Sequence, residues 1–587
     1  MRCLKIVLTV LSALLASQSL PGQDSLAFKL QQDNLSTLND LNVDQEFRLG
    51  PAQLDFHDIL RYKVFSYESS SDGENQFSIE HRMRSDLYFF DHRSSRIRVE
   101  SNQYQDHRTG LKSSIANWAF LAGYSSTPNY SVYLGGRTVK RYGIDDGGWT
   151  ASLQGRESWA KDSQAAQIQF SGELDQLEEH ENHRVRAMGD YRIRFGGVSS
   201  YNTSMRMESR QQEFFTDSLG SSQLREQENI NWNNRFTYNV SRKIKFTHDL
   251  SWGDQSTKID RERLSPSGER RVIDEERKRL VLTNQSGMVV DGESITTMAS
   301  FKIENSQNKY YVDHSQSLYQ LNGEFTYHPA SLIDSLSWKN TLSRLEYDTP
   351  DTTNDDDRDE WRFKTELSLV HIPNPFSRLE IGTKMSLFHL IYLFNTRSSE
   401  NYWNRNLVLW SEYDWILNDW SGKARAHIRS NYFDYDYDDL FIEMDQPARS
   451  FVHRSLDLSK QLKFQFLPRW SLTAKFASRW EDEGQLDWSQ FIQQISSERE
   501  QTEYSFKLSF AYKGWVGWLG YLNHHRETSY ATSSRGDEIW DGEGPLFGVR
   551  HLLGDRLYVD LDGRIISVVD NGREYLLPKI FFSLVYR

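Results

Sequence analysis

The sequence predicts an all-β fold: a single large antiparallel up-and-down transmembrane β-barrel of about 26 strands, with a range of roughly 24 to 28. Apolar and polar residues alternate with period two through most of the 587 residues. The mean hydropathy is −0.69, although the chain has 32 Phe, 29 Tyr and 17 Trp. Short turns also alternate with longer polar stretches, as in a meander whose two edges differ.

Residues 1–22 predict a secretory signal peptide. Arg2 and Lys5 form its charged start, and Ile6 to Leu15 form an apolar core of about ten residues. The single cysteine, Cys3, lies in this segment, so the mature chain is expected to contain none. A chain without cysteines suits an oxidising periplasm.

Residues 23–50 are expected to form a short periplasmic segment, and residues 51–587 the barrel. Inside the short segment, Leu30 to Asn42 (LQQDNLSTLNDLN) shows the one helical pattern of the chain. An even number of strands places both termini on the same side, which the prediction assigns to the periplasm.

Strand alternation assigns residues to the two faces of the wall. The residues expected to face lipid are Tyr504, Phe506, Leu508, Phe510, Tyr512, Ile580, Phe582, Leu584 and Tyr586. The charged residues expected to line the lumen are Arg184, Arg186, Arg192, Arg194, Arg362, Lys364, Glu366, Lys507, Lys513, Asp560 and Asp562. These charges either set ion selectivity or pair with each other across strands and hold the wall together.

The connections predict which edge is which. Short turns are expected near Pro128, Gly196, Ser241, Gly292, Asp334, Asn374, Asn418, Pro468, Gly514 and Gly554. Long polar loops are expected at Asp260 to Arg271, Asp348 to Glu360 and Ala531 to Gly544. In outer-membrane barrels the short turns are periplasmic and the long loops extracellular.

The C-terminus, KIFFSLVYR (Lys579 to Arg587), resembles the signal that the bacterial barrel-assembly machinery reads. It departs from that signal where Phe581 replaces the usual glycine and where Arg587 follows the final aromatic residue, Tyr586. A last lipid-facing strand accounts for the same pattern.

The C-terminal half resembles a group of large outer-membrane β-barrel proteins of diderm (Gram-negative) bacteria, over roughly residues 330–587. The likeness rests on DDRDEWRF (Asp356 to Phe363), FHLIYLFNTRSSENYWNRNL (Phe388 to Leu407), NYFDYDYDD (Asn431 to Asp439) and GQLDWSQFIQQISSERE (Gly484 to Glu500). It implies location and architecture and names no substrate. The lipopolysaccharide-inserting barrel and the TonB-dependent receptors fit less well, since the former has cysteines and the latter a large N-terminal plug.

Sites other than the lumen are weaker candidates. The net charge of −13 argues against broad nucleic-acid binding. Carboxylates at 355–360 could hold Ca²⁺, but a solvated extracellular loop explains them better. Those at 434–439 alternate with tyrosines, which favours an aromatic girdle at the outer interface over a Ca²⁺ or polysaccharide contact. His389, His453, His524 and His525 form no recognisable catalytic constellation. No catalytic residue, metal ligand, cofactor or nucleotide motif is predicted.

The leading functional hypothesis is a porin-like channel or export conduit across the outer membrane, because a barrel this wide has a lumen that its side chains cannot fill. The alternative is a non-conducting scaffold or sheath that holds a periplasmic or lumenal partner protein. An enzyme at the barrel rim is the weakest reading. The expected partners are outer-membrane lipid and the assembly machinery, with no nucleic acid.

Overall fold

The computed structural model describes residues 25–32, 36–49, 52–65, 76–89, 95–108, 111–127, 129–196, 198–216, 221–264, 270–309, 313–329, 333–350, 355–444, 448–487, 492–531, 536–553 and 557–586. Over these residues the chain forms 28 strands and one α-helix. The strands are β1 (Ser25–Gln32), β2 (Ser36–Leu49), β3 (Ala52–Phe65), β4 (Gln76–Phe89), β5 (Ser95–Arg108), β6 (Leu111–Thr127), β7 (Tyr130–Arg141), β8 (Ile144–Lys161), β9 (Gln164–Leu177), β10 (Glu181–Phe195), β11 (Ser199–Phe215), β12 (Ser222–Asn239), β13 (Ile244–Leu264), β14 (Arg270–Asp291), β15 (Ile295–Lys309), β16 (His314–Tyr327), β17 (Ser335–Asp348), β18 (Arg358–Asn374), β19 (Ser377–Tyr392), β20 (Tyr402–Leu417), β21 (Trp420–Tyr435), β22 (Phe451–Leu467), β23 (Trp470–Asp487), β24 (Ile492–Tyr512), β25 (Trp515–Tyr530), β26 (Glu538–Leu553), β27 (Leu557–Asp570) and β28 (Arg573–Tyr586).

The strands form one closed antiparallel meander. Each strand pairs with the next along the chain, and β1 also pairs with β28, from Leu26 opposite Tyr586 to Gln32 opposite Ile580. Closure leaves no free sheet edge along the paired length, which is how barrels solve the problem of exposed edge strands. The predicted all-β, up-and-down barrel is therefore confirmed, at the upper end of the predicted strand range.

The prediction for residues 23–50 is wrong in its secondary structure. Ser25–Gln32 and Ser36–Leu49 are strands of the wall, and the helix expected from Leu30 to Asn42 does not form. Strand pairing with β28 and β3 outweighs a weak local pattern, because a polar helix at this place would leave both neighbours without hydrogen-bond partners. The wall begins at Ser25 and not at residue 51. The predicted signal peptide, residues 1–22, lies outside the described residues.

The two edges of the barrel differ. The turn edge holds both ends of the described chain and the connections that follow even-numbered strands. Eight of the ten predicted short turns lie in described residues, and each of these joins two strands at this edge; Pro128 and Gly554 lie outside the described residues. The opposite loop edge has the longer connections, among them 349–357, 393–401 and 436–450. The loop edge also has tight turns at 142–143 and 571–572, where Tyr142, Gly143, Asn571 and Gly572 all have positive φ.

Two of the three predicted long loops are shorter than the sequence predicts. Strand β13 runs to Leu264, β14 begins at Arg270 and β26 begins at Glu538, so much of these two polar stretches is strand. In the third, Asp348 to Glu360, β17 ends at Asp348 and β18 begins only at Arg358. Polar residues on both faces look like loop in a sequence, yet they suit a strand that has water on either side. The helix α1 (Asp438–Glu443) and a 3-10 turn (Ser398–Glu400) lie in loop-edge connections. Of the helices in the described ranges, none is long and apolar enough to cross a membrane.

Candidate functional site: the barrel lumen

The barrel wall has one apolar face and one charged face. Residues directly opposite in register share a face. From Leu472 opposite Leu508, through Leu508 opposite Leu519, to Leu561 opposite Phe582, the register keeps large apolar side chains together. The residues between them belong to the other face, where ion pairs such as Arg550 with Asp560 form.

The charged face is the inner, concave one. Arg98 on β5 donates to the Tyr133 hydroxyl on β7 at 2.8 Å, and Arg137 on β7 pairs with Glu173 on β9 at 2.9 Å. Both contacts skip a strand, and side chains converge in this way on the concave side of a curved sheet. A closed wall of 28 strands among the described residues is too wide for its side chains to fill, so the barrel is hollow, with a second surface inside.

The outer apolar face forms a band next to the turn edge. On β24 the outer residues from Tyr512 to Tyr504 are apolar, and Glu500 and Glu498 follow on the same face. On β13 the band ends at Trp252 and Asp254 follows. These bands match the span of about 9 to 11 residues that a strand needs to cross a bilayer. The wall continues beyond the band toward the loop edge with charged residues on its outer face.

The residues expected to face lipid whose side chains the structure describes share this outer face; the Tyr586 side chain lies outside that part. Tyr504, Phe506 and Leu508 are 44%, 54% and 40% exposed. Phe510 and Tyr512 are partly covered, and Phe510 packs against Trp470 with ring centroids 4.7 Å apart. The register places Ile580, Phe582, Leu584 and Tyr586 opposite Gly563, Leu561, Val559 and Leu557.

The four predicted arginines of β10 lie on the inner face. Arg184 and Arg186 both contact Glu208, at 2.7 and 2.9 Å. Arg192 lines a recess of about 930 Å³ in the inner wall. In the register Arg194 lies opposite Ser200, on the same face. Arg184 and Arg186 therefore form ion pairs that hold neighbouring strands together, whereas Arg192 borders open space in the lumen.

The predicted charges of β18 also divide into those that lie near an opposite charge and those that do not. Arg362 pairs with Glu360 at 2.7 Å, and Glu366 lies in register between Lys339 and Lys384. Lys364 lies opposite Thr341 and Ser386 on the same inner face.

Lys507 lies over the Trp518 ring, 4.0 Å from its centroid, on the inner face that it shares with Asp562. Asp560 pairs with Arg550 at 3.1 Å. The prediction for Lys513 is wrong: it follows the last residue of β24 and occupies the turn, with φ of 44°. A two-residue hairpin needs a positive φ there, so the alternation ends one residue earlier.

The recess on the inner wall is lined mainly by amide, hydroxyl and charged side chains. Asn202, Asn233 and Gln285 lie beside Arg192 and an Arg235–Asp249 pair at 2.6 Å. Such a surface binds water and polar solutes through hydrogen bonds in both directions.

The sequence did not point to a chain of charges across β4, β5, β7 and β9. Asp86 accepts from Arg98 at 2.6 Å and from Arg84 at 2.9 Å, and Arg137 pairs with Asp175. Tyr133, which is fully buried, lies under the Arg98 guanidinium at 4.3 Å. The alternating arginines in β4 and β5 could have indicated which face of these strands is the inner one. They could not have indicated contacts between strands that are not neighbours.

Three loop-edge connections pack together as a loop cap, which comprises residues 355–357, 393–401 and 436–444 with 448–450. Arg397 pairs with Asp356, and Arg449 donates to the Ser399 carbonyl. Beneath the cap, rings on the inner face of β19 to β22 form a cluster: Phe388, Tyr402, Phe433, Tyr435 and Phe451, with neighbouring centroids 4.7 to 5.9 Å apart. The register therefore places an aromatic surface on the inner face of β19 to β22, next to the cap.

The acidic clusters are bound by protein groups. Asp355 accepts from Thr396, Asp357 from Thr349 and Asp359 from Arg344. Asp434 pairs with Arg405, and Asp438 accepts from two backbone N–H groups. Three or more metal-ligating side chains do not converge anywhere among the described residues.

The four singled-out histidines each lie near a carboxylate. His389 is 3.3 Å from Asp436, His453 is 3.7 Å from Glu481, His524 is 3.5 Å from Glu503 and His525 is 2.6 Å from Asp541. His389 also stacks on Trp403, with centroids 3.9 Å apart. These pairs lie on different parts of the wall and form no single site.

Neither a protein-family model nor a curated protein matches the chain. Among solved structures, it is distantly similar to the copper transporter OprC, with 9% identity over 85% of this chain and 86% of that one, and a TM-score of 0.42. The FrpB iron transporter from Neisseria meningitidis matches with 7% identity, 78% and 82% coverage and a TM-score of 0.40. The siderophore receptor PirA from Pseudomonas aeruginosa matches with 10% identity, 74% and 86% coverage and a TM-score of 0.35.

Proposed function

We propose that this chain is an outer-membrane barrel whose lumen serves as a porin-like channel or export conduit. The observation that supports this most directly is the division of the wall into an apolar outer band and a hydrogen-bonded, charged inner face around a hollow interior. An apolar band of bilayer height has no role in water, since it would expose one continuous hydrophobic surface. A polar lumen gives water and polar solutes a path through it.

The route of biogenesis forms part of the proposal. Residues 1–22 direct the chain across the inner membrane, the barrel-assembly machinery inserts it, and the turn edge with both termini remains in the periplasm. Hairpins with short turns can cross the bilayer from that side, whereas the charged loop edge becomes the outer surface. The amide-rich recess and the paired charges favour polar cargo over apolar cargo in the main lumen.

Conductance of the refolded barrel in a planar bilayer tests the proposal. Arg192→Glu and Lys507→Glu should shift the reversal potential in a salt gradient toward cation selectivity, because each places a negative charge on the inner face. Lys258→Glu is the matched control. Lys258 lies on the outer face of β13 beyond the apolar band, paired with Asp260 at 3.0 Å, so its reversal should leave selectivity unchanged. A folded barrel that inserts into the bilayer but conducts no current would contradict the proposal that the chain is a channel.

A scaffold that holds a partner protein is the second candidate, and one observation favours it. Helix α1 in the loop cap exposes Leu440 and Ile442, and Met444 follows, with exposures of 49%, 57% and 61%. Exposed apolar side chains at a polar edge are typical of contact surfaces. A silent barrel would turn the search to proteins that co-purify with the full chain but not with one that has Leu440→Ser and Ile442→Ser.

A further inference from the structure

The seam between β1 and β28 closes only part of the barrel wall. Strand β28 has 14 residues and pairs with β27 along its whole length. Its pairing with β1 covers only Ile580 to Tyr586. From Arg573 to Lys579, among the described residues, the seam side of β28 has no strand partner. In the part of the chain that the structure describes, the wall therefore has a notch at the loop-edge end of the seam, which we call the seam notch.

The seam notch reaches into the apolar band. Strand β1 has 8 residues. At about 3.3 Å per residue and a tilt of about 40°, such a strand covers roughly 20 Å of the membrane normal. The apolar band of an outer-membrane barrel is about 25 Å tall. The uncovered part lies at the end away from the turn edge, which the proposed orientation assigns to the outer leaflet.

The strand beside the notch is apolar on both faces. In β28 the register places Leu576 and Pro578 on the outer face, and Tyr575 and Leu577 on the inner face. Leu576 and Tyr575 are 66% and 40% exposed. A proline in a strand belongs at an edge, because it cannot donate a ladder hydrogen bond. This segment is therefore suited to be an uncovered edge of the sheet in contact with apolar groups, and not an edge that pairs with a further strand.

The inner wall next to the notch contains a packed apolar cluster. Leu522, Ile566 and Val568 are buried against one another on the inner face, and Trp540 and Leu577 pack on them. Elsewhere the inner face is braced mainly by ion pairs. The cluster therefore packs β25 to β28 together on the side of the seam away from β1.

Two like charges face each other on the inner side of the notch. Arg564 and Lys579 are directly opposite in the register of β27 and β28, and both side chains are exposed. Like charges in this position repel each other. Within the described part of the chain neither one makes an ion pair, and the nearest carboxylate on this face, Asp562, lies opposite Phe581. An anion between Arg564 and Lys579 would relieve the repulsion.

We propose that the seam notch is a lateral portal through which an anionic amphiphile passes between the lumen and the outer leaflet. Its anionic headgroup contacts Arg564 and Lys579, and its acyl chains pass Leu576 and Leu577. The headgroup also supplies hydrogen-bond partners to the unpaired backbone of residues 573–579, which hydrocarbon alone cannot do. The proposal rests on the outer-membrane location proposed above and names a cargo class for the same lumen.

Lipid cross-linking tests the portal. The full chain with Cys3→Ser receives one new cysteine that carries a benzophenone, at Leu577 beside the notch, at Leu318 on the inner face of β16, or at Leu508 on the outer band. The barrel is placed in vesicles of phosphatidylcholine and phosphatidylglycerol and irradiated, and the lipid adducts are identified by mass spectrometry. Tyr575→Cys replaces Leu577→Cys if the latter does not fold, since Tyr575 lies on the same face and is exposed.

We expect lipid adducts at Leu508 and Leu577 and none at Leu318. The ratio of phosphatidylglycerol to phosphatidylcholine adducts should be about five times higher at Leu577 than at Leu508. This ratio corresponds to a preference of about 1 kcal/mol for the anionic headgroup. The pair of changes Arg564→Gln and Lys579→Gln should remove the enrichment. Lengthening the β1–β2 hairpin so that it covers residues 573–579 should remove the Leu577 adduct and keep that at Leu508.

The other outcomes each overturn something specific. Adducts at Leu508 with none at Leu577 and Tyr575 contradict the portal alone. Equal adducts at Leu577 and Leu318 show that lipid enters from an open end of the barrel. Adducts at Leu577 without enrichment contradict the anionic headgroup. No adduct at Leu508 contradicts the membrane location itself, and with it the proposed function.

Discussion

Arg98 is the side chain on which the inner wall of β4 to β9 depends most. It is 6% exposed, pairs with Asp86 at 2.6 Å, donates to the Tyr133 hydroxyl and lies over that ring. Removing one partner of a buried ion pair leaves an uncompensated charge, whereas removing one from an exposed pair costs little. The same type of contact therefore has different energetic weight at different places on one wall.

Arg98→Met should lower the free energy of unfolding by about 3 kcal/mol, because Asp86 stays buried and keeps only Arg84. Arg186→Met is the matched control: its side chain is 49% exposed and its partner Glu208 also contacts Arg184, so the loss should stay below about 1 kcal/mol. Urea unfolding of both variants in detergent measures the difference. Equal losses of unfolding free energy in the two variants would show that the Arg98 ion pair is as accessible to solvent as the exposed pairs of the wall.

At the level of the strands, tryptophan rings lie over glycines of the neighbouring strand. Gly382 on β19 is opposite Trp410 on β20, and Gly548 on β26 is opposite Trp518 on β25. A Cβ at either glycine would overlap the ring. These pairs compensate for the weak packing of glycine in a strand and fix the register locally.

Gly382→Ala should displace Trp410 and lower the free energy of unfolding by about 1 to 3 kcal/mol, the range for overpacking. Gly189→Ala is the control, because Gly189 is also within a strand but has no heavy atom within 4 Å of its Cβ position. Near-ultraviolet circular dichroism reports the Trp410 environment, and urea unfolding reports stability. A loss at Gly189 as large as at Gly382 would show that backbone strain, and not the ring, decides.

The sequence predicted the elements well where local chemistry decides them. The turns at Asn418 and Gly514 contain residues that adopt positive φ, and their positions fix the strands on either side. The β1–β2 hairpin escaped prediction because Leu38 and Leu41 recur at helical spacing, while the pairing that makes this segment strand is not local: β2 pairs with β1 and β3, and β1 pairs with β28, more than 500 residues away. The contact between Arg98 and Tyr133 depends on wall curvature, which alternation along a strand does not encode.

For the whole molecule, the charged wall beyond the apolar band sets the direction of insertion. The outer face of β24 turns acidic at Glu500, and that of β13 at Asp254, both on the loop-edge side of the band. Moving this charged wall and the loop cap through hydrocarbon costs more than holding them at the surface where water already lies. The finished barrel should therefore keep the loop edge on one side permanently, with no exchange between the two orientations.

Cysteine labelling on intact cells measures this orientation. In a chain with Cys3→Ser, Asn395→Cys in the loop cap should react with a polymer-linked maleimide that is too large to pass through the lumen, because residues 393–396 are exposed at the loop edge. Pro468→Cys, exposed in the turn between β22 and β23, should react only after lysis. The chain with Cys3→Ser and no new cysteine gives the background. Labelling at Pro468 with none at Asn395 would mean that the short turns face outward, and the outer-leaflet position of the seam notch would be reversed with it.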